Sequence, residues 1–156
     1  MLNSEISKLL LKNKKTIAVA ESCTGGLISN SLTNINGSSK YFKLGLVLYS
    51  NSAKSKLLKI NKKDISRFGV VSEKVAALMA KKVKTLAGAH IGLATTGFAG
   101  SKGGNKNNPI GTVYVALAYK NSAIVKRWNF SGKRTQIKNK AKNKALSLIK
   151  QCLVNP

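Results

Sequence analysis

The sequence predicts a three-layer α/β/α domain on a mixed, mostly parallel sheet that closes with a late antiparallel hairpin. Three observations predict it. Short apolar runs alternate with amphipathic helical stretches, the pattern of layered α/β domains. Two late runs, Thr112–Tyr119 and Ala123–Phe130, flank Lys120-Asn121-Ser122 and read as a hairpin. The chain has 156 residues, 43% of them hydrophobic. That suffices for one sizeable core, and at roughly 100–200 residues per domain it predicts one domain over 1–156.

The elements follow in chain order. Leu2–Leu11 carries Leu2, Ile6, Leu9 and Leu10 at helical spacing and reads as an amphipathic helix. Thr16–Ala20 is a short apolar run suited to a buried strand. It stops at Glu21-Ser22-Cys23-Thr24-Gly25-Gly26, after which a helix begins over Leu27–Leu32. Leu44–Tyr49 reads as a second strand, and Asn51–Leu58 as a short helix with Asn51 as its cap. Ser72 caps a longer helix, Glu73–Leu86, whose Val75, Leu78, Met79 and Val83 share a face. Ala89–Thr95 is a further strand, followed by a Gly-rich loop through Pro109. After the hairpin, Arg134–Leu153 reads as a lysine-rich helix with Ile137, Ala141, Leu146, Ile149 and Leu153 on its apolar side. No repeat or low-complexity linker divides the chain.

Composition excludes several classes. No apolar run reaches the roughly 18 residues needed to cross a bilayer, so no membrane partner is expected. The first segment lacks the long apolar stretch of a secretory signal, which sets the cytoplasm as the expected compartment. Two cysteines, Cys23 and Cys152, are too few for a disulfide framework or a zinc cluster, and the single histidine, His90, excludes a site needing two imidazoles. The formal charge is +24, from 28 Lys and Arg against 4 Asp and Glu. Such a charge suits nucleic acid or another anionic partner. Yet arginine, the better residue for bidentate phosphate and guanine contacts, occurs only at 67, 127 and 134, leaving 25 lysines scattered along the chain. Nucleic acid is therefore expected to bind only through nonspecific charge, while small anions are attracted generally.

Two loops hold suggestive chemistry, and loops beyond strand ends are where such sheets form sites. In AESCTGG, Ala20–Gly26, a strand-to-helix turn sets two hydroxyls and a thiol beside a helix N-terminus, whose free N–H groups can hold an anion or oxyanion. The plainer reading is that Ser22 or Thr24 only caps the helix. Cys23 is an alternative nucleophile with His90 as its base, against packing as a small apolar residue. Tyr49 and Lys54 leave a strand end and enter the next helix. A desolvated lysine can serve as base for a serine, but Lys56 and Lys59 stand nearby, and a solvated face is the alternative. Thr96-Gly97-Phe98-Ala99-Gly100-Ser101-Lys102-Gly103-Gly104 matches no nucleotide-binding fingerprint, yet its glycines permit an N–H nest for phosphate or carboxylate. Arg134, in FSGKR, either grips a phosphate or lies on the surface.

Six ordered motifs resemble the CinA C-terminal domain family, the nicotinamide-nucleotide amidohydrolases. They are AESCTGG, the GSS…F…G…YSN..K segment at 37–54, GVVSE at 69–73, TGFAG..GG at 96–104, PIGTVYVA at 109–116 and FSGKR at 130–134. The resemblance covers nearly the whole chain. It implies hydrolysis of the carboxamide of nicotinamide mononucleotide to nicotinate mononucleotide and ammonia, with neither cofactor nor metal. By motif, Ser22 is the nucleophile, Lys54 the general base, and Tyr49 supports the pair by hydrogen bonding. Backbone N–H groups around Thr24, Gly25 and Gly26 hold the oxyanion. Thr96, Gly97, Gly100, Gly103 and Gly104 line the substrate pocket, and Arg134 lies near the ligand. The implied partners are a small-molecule nucleotide and further copies of the chain in a homo-oligomer. The alternatives are a basic nucleic-acid-binding or competence-associated module, or a degenerate member that binds a nucleotide without turnover. Three departures from the family pattern stand out: Ser101 replaces a usual proline, Lys133 replaces a common acidic residue, and 105–108 is rich in Asn and Lys.

Overall fold

The computed structural model describes residues 1–156. Its strands are β1 (Ile17–Glu21), β2 (Phe42–Val47), β3 (Ile91–Gly97), β4 (Thr112–Tyr119) and β5 (Ser122–Asn129). They form one sheet in the order β2-β1-β3-β4-β5. β1 pairs in parallel with both β2 and β3, and β4 pairs antiparallel with β3 and β5. Four strands thus run one way and β4 alone opposes them. The hairpin turn is only Lys120-Asn121, because Tyr119 pairs with Ser122.

The helices are α1 (Leu2–Lys12), α2 (Leu27–Thr33), α3 (Asn51–Leu58), α4 (Lys62–Phe68), α5 (Glu73–Ala87) and α6 (Arg134–Val154), with a 3-10 turn at Ser38–Lys40. Strand alternation assigns them to layers. Ile17, Val19, Leu93, Val113, Val115 and Leu117 pack with α1, α2 and α6. Ala18, Ala20, Ala94, Ala116 and Ala118 face α3, α4 and α5. The second face is small for a reason. α5 lies so close to β3 that a Cβ on Gly92 would stand 2.0 Å from the Ala80 carbonyl oxygen. The predicted three-layer class is the observed one. No helix is long and apolar enough to cross a membrane.

Three local expectations are corrected. The second strand lies two residues earlier than predicted, because Ile17 takes its place beside Phe42 and the pairing with β1 ends at Val47. Ser50, not Asn51, caps α3, its Oγ accepting from Ala53 N at 3.0 Å. α4 was not predicted. It starts where Asn61 Oδ1 accepts from Lys63 N at 2.9 Å, and it buries only Ile65. Ser72 caps α5 as expected, accepting from Val75 N at 3.2 Å.

Candidate functional site

β1 is the point at which the strand order reverses, with β2 on one side and β3 on the other. Loops diverging from such a point leave a crevice beyond the carboxyl ends of the strands. A pocket of about 210 Å³ lies there, lined by Ser22, Tyr49, Lys54, Thr96, Gly97 and Arg134 among others.

Ser22 follows the last residue of β1, and its N–H donates to the Thr95 carbonyl at 3.1 Å. Lys54 is reached from the other side. The Ser50 cap fixes where α3 begins, and this places Lys54 and Leu58, one turn apart, on the buried face. Lys54 is 1% exposed. Its Nζ donates to the Leu48 carbonyl at 2.8 Å and lies 3.2 Å from Ser22 Oγ. Leu48 is itself tied to β1, its N–H donating to the Glu21 carbonyl at 2.7 Å. Burial lowers the Lys54 pKa below the ordinary lysine value, opposed by a smaller effect of neighbouring Cys23. A neutral amine here has an N–H for Leu48 and a lone pair for the Ser22 hydroxyl.

The alternative nucleophile fails on both counts. Burial pushes the Cys23 thiol up to about 12; its own backbone opposes this, the Glu21 charge adds a smaller push, and Lys54 and Lys138 oppose it least. His90 sits at the opposite end of the sheet, its Nδ1 2.9 Å from Thr16 Oγ1.

The AESCTGG turn differs from expectation. Neither Ser22 nor Thr24 caps α2; Glu21 does. Its fully buried carboxylate accepts from Gly26 N at 3.0 Å, Ile28 N at 3.2 Å, Ser29 N at 2.8 Å and Ser29 Oγ at 2.7 Å. Gly25 N donates to the Ser22 carbonyl at 3.1 Å. The Gly25 and Gly26 amides are therefore spent and cannot hold an oxyanion. In this turn only the Cys23 and Thr24 N–H groups have no partner. Gly25 and Gly26 instead supply positive φ, +60° and +98°, for the turn into α2. The Thr24 hydroxyl is buried against Thr95 Oγ1 at 2.8 Å, outside the pocket lining.

The other sequence-predicted residues divide similarly. Thr96 lines the pocket, but its hydroxyl donates to the Val70 carbonyl at 2.8 Å. Gly97 and Gly100 line it as expected. Gly103 and Gly104 do not; they turn the loop back at positive φ, so close to Phe98 and to Ile110 N that a Cβ would crowd both. Tyr49 is 60% exposed, and its hydroxyl accepts from Arg134 rather than from Ser22 or Lys54. Arg134, the first residue of α6, also donates to the Gly100 carbonyl. It thereby joins the β2–α3 loop to the Gly-rich loop at the pocket mouth, beside Lys102.

Several lining residues escaped sequence reasoning: Asn51, Val70, Val71, Phe98, Ala99 and Lys102. All fall within the spans of matched motifs, Lys102 at an unspecified position of one, and that is the one signal available for them. The Asn-rich segment forms a hydrogen-bonded turn. Asn105 Oδ1 accepts from Asn107 N at 3.0 Å and Asn108 N at 2.9 Å, while Asn108 Nδ2 donates to the Val71 carbonyl at 3.1 Å.

Residues 1–153 match the CinA C-terminal domain family. The chain belongs to that family. Among relatives of the CinA family, a CinA-like protein of Endomicrobium trichonymphae is 42% identical over 153 residues, covering 98% of this chain and 36% of that protein. A CinA-like protein of Syntrophus aciditrophicus is 43% identical over 153 residues, covering 97% and 36%. The chain thus spans about a third of the length of the curated relatives it matches. Among solved CinA-family structures, competence damage-inducible protein A of Klebsiella pneumoniae superposes with a TM-score of 0.94 at 30% identity, covering 98% of this chain and 95% of that one. The competence/damage inducible protein CihA of Agrobacterium tumefaciens gives 0.93 at 32% identity, covering 97% and 93%.

Proposed function

We propose that the chain is an amidohydrolase converting nicotinamide mononucleotide to nicotinate mononucleotide and ammonia through a Ser22/Lys54 pair. One observation carries the reading: a buried lysine amine 3.2 Å from the hydroxyl of a serine that opens onto a pocket. A hydroxyl is a weak nucleophile and needs a base beside it; a lysine kept neutral by burial is such a base.

The steps follow from those positions. Ser22 Oγ attacks the carboxamide carbon as its proton passes to Lys54 Nζ. The oxyanion is held by the Cys23 N–H, the free donor of the turn whose residue lines the pocket. Lys54 returns the proton to the amide nitrogen, the C–N bond breaks, and ammonia leaves. Water then attacks the acyl-enzyme, giving its proton to Lys54. Collapse releases the carboxylate, and Ser22 recovers its proton. Arg134 and Lys102 at the mouth suit the phosphate of the substrate. In the same reading the protein works in the cytoplasm as a homo-oligomer, without a cofactor, and its charge attracts anionic ligands generally.

The test is ammonia release from nicotinamide mononucleotide by the parent chain and by Ser22→Ala. Release by the parent, lost in a Ser22→Ala variant with unchanged circular dichroism, is expected. Equal release by both would overturn the role of Ser22.

A further inference from the structure

Glu21 is the acidic residue next to the nucleophile that the reaction does not consume. The chain has four acidic residues, and this is the one that is fully buried. The single ion pair of the structure, Lys150 with Glu5, lies elsewhere. A buried carboxylate without a cation requires hydrogen bonds in its place, and Glu21 has four of them.

Gly26, the residue before α2, stands at φ +98°, where a short capping side chain would be strained. The cap instead comes from five residues upstream, across the segment that contains Ser22. The carboxylate thus closes a ring around Ser22-Cys23-Thr24-Gly25. The backbone of the same residue reaches the other half of the pair. The Glu21 carbonyl accepts from Leu48 N, and the Leu48 carbonyl accepts from Lys54 Nζ. One residue therefore fixes the Ser22 turn through its side chain and the Lys54 amine through its main chain.

We propose that Glu21 is the positioning residue of this site: its carboxylate, through Gly26, Ile28 and Ser29, sets where Ser22 Oγ and the Cys23 and Thr24 N–H groups stand. The proposal rests on the amidase reading for its catalytic consequence. A carboxylate only accepts, and all four partners are donors. Glutamine at 21 turns an NH2 group toward at least one of those donors, so the ring opens without a change in size.

Cys23 reports the turn independently of activity, since it is 5% exposed and flanks Ser22. With Cys152→Ser as background, Cys23 is the sole thiol of the full chain. Glu21→Gln should raise the rate of Cys23 alkylation by iodoacetamide at least about tenfold. It should also lower kcat for ammonia release by about 10- to 100-fold with KM little changed, the signature of a misplaced reacting group. Ser29→Ala removes one of the four bonds and keeps the carboxylate. It should shift both readouts in the same direction by about threefold, and it carries the test if Glu21→Gln does not fold. Parental alkylation and parental kcat in the folded variants would overturn the proposal, as would faster alkylation with an unchanged kcat. If the parent itself releases no ammonia, the amidase reading fails. Cys23 alkylation then still decides whether Glu21 sets the turn.

Discussion

Lys54→Met replaces the amine with an apolar side chain of similar length and keeps the stem that fills the interior. The pocket offers no buried substitute base, since its other lysine, Lys102, is exposed. Its lining contains no histidine and no carboxylate, and the Tyr49 hydroxyl is engaged with Arg134. Lys54 both takes the Ser22 proton and delivers it to the leaving nitrogen, so the substitution removes a base and an acid together. Each is worth about 10²–10⁴ in rate. The expected loss in kcat/KM is therefore at least about 10⁴-fold, or about 5.5 kcal/mol. Stability gives a second readout. The folded pKa of Lys54 is lowered, so between that value and the ordinary one, about 10.4, the unfolded chain binds the additional proton. The parent gains stability relative to Lys54→Met as pH rises through this window, and loses the gain as pH falls through the folded pKa. Ammonia release and urea unfolding of both proteins from pH 6 to 10.5 measure the two effects. Lys54→Met with activity within tenfold of the parent, or with a stability difference independent of pH, would refute the reasoning.

Other consequences follow from the same geometry. Tyr49→Phe removes a hydrogen bond to Arg134, not to the dyad, so KM should rise about 2- to 12-fold with kcat little changed in steady-state assays. A loss confined to kcat would place Tyr49 in the proton path instead. His90→Ala should leave ammonia release at the parental rate, because His90 faces Thr16 at the far end of the sheet. Gly92→Ala forces a Cβ to within 2.0 Å of the backbone of α5, which cannot yield as a side chain would. It should cost at least about 3 kcal/mol, a fall in Tm of about 6–12 °C by calorimetry, and an unchanged Tm would contradict the close packing of α5 on β3.

The fold was largely legible because its signals are local. Two β-rich runs around a short polar turn can hardly be other than a hairpin, and Ser72 before an apolar face marks the start of α5. α4 was hidden because KKDISRF offers one core residue in a run of charge. The site was legible only through resemblance. Ser22 and Lys54 are 32 positions apart, and nothing in composition separates Lys54 from 24 other lysines. What singles it out is burial, produced by the Ser50 cap and by the Leu48 carbonyl, neither of which is a sequence property. Long-range pairing hid the rest. Arg134 meets Tyr49 across 85 positions. Strand alternation sets Glu21 on the face of Ile17 and Val19, toward α2, but it does not show that the carboxylate closes on the first N–H groups of that helix.

The state of the Lys54 amine is the central claim, and NMR titration of lysine Cε and Nζ measures it directly. The Lys54 resonance is identified by its absence in Lys54→Met. A midpoint clearly below that of the solvent-exposed lysines, with the Ser22→Ala variant keeping a lowered value because burial is the main cause, is the predicted result. A Lys54 resonance that titrates with the surface lysines near pH 10.4 would contradict the account.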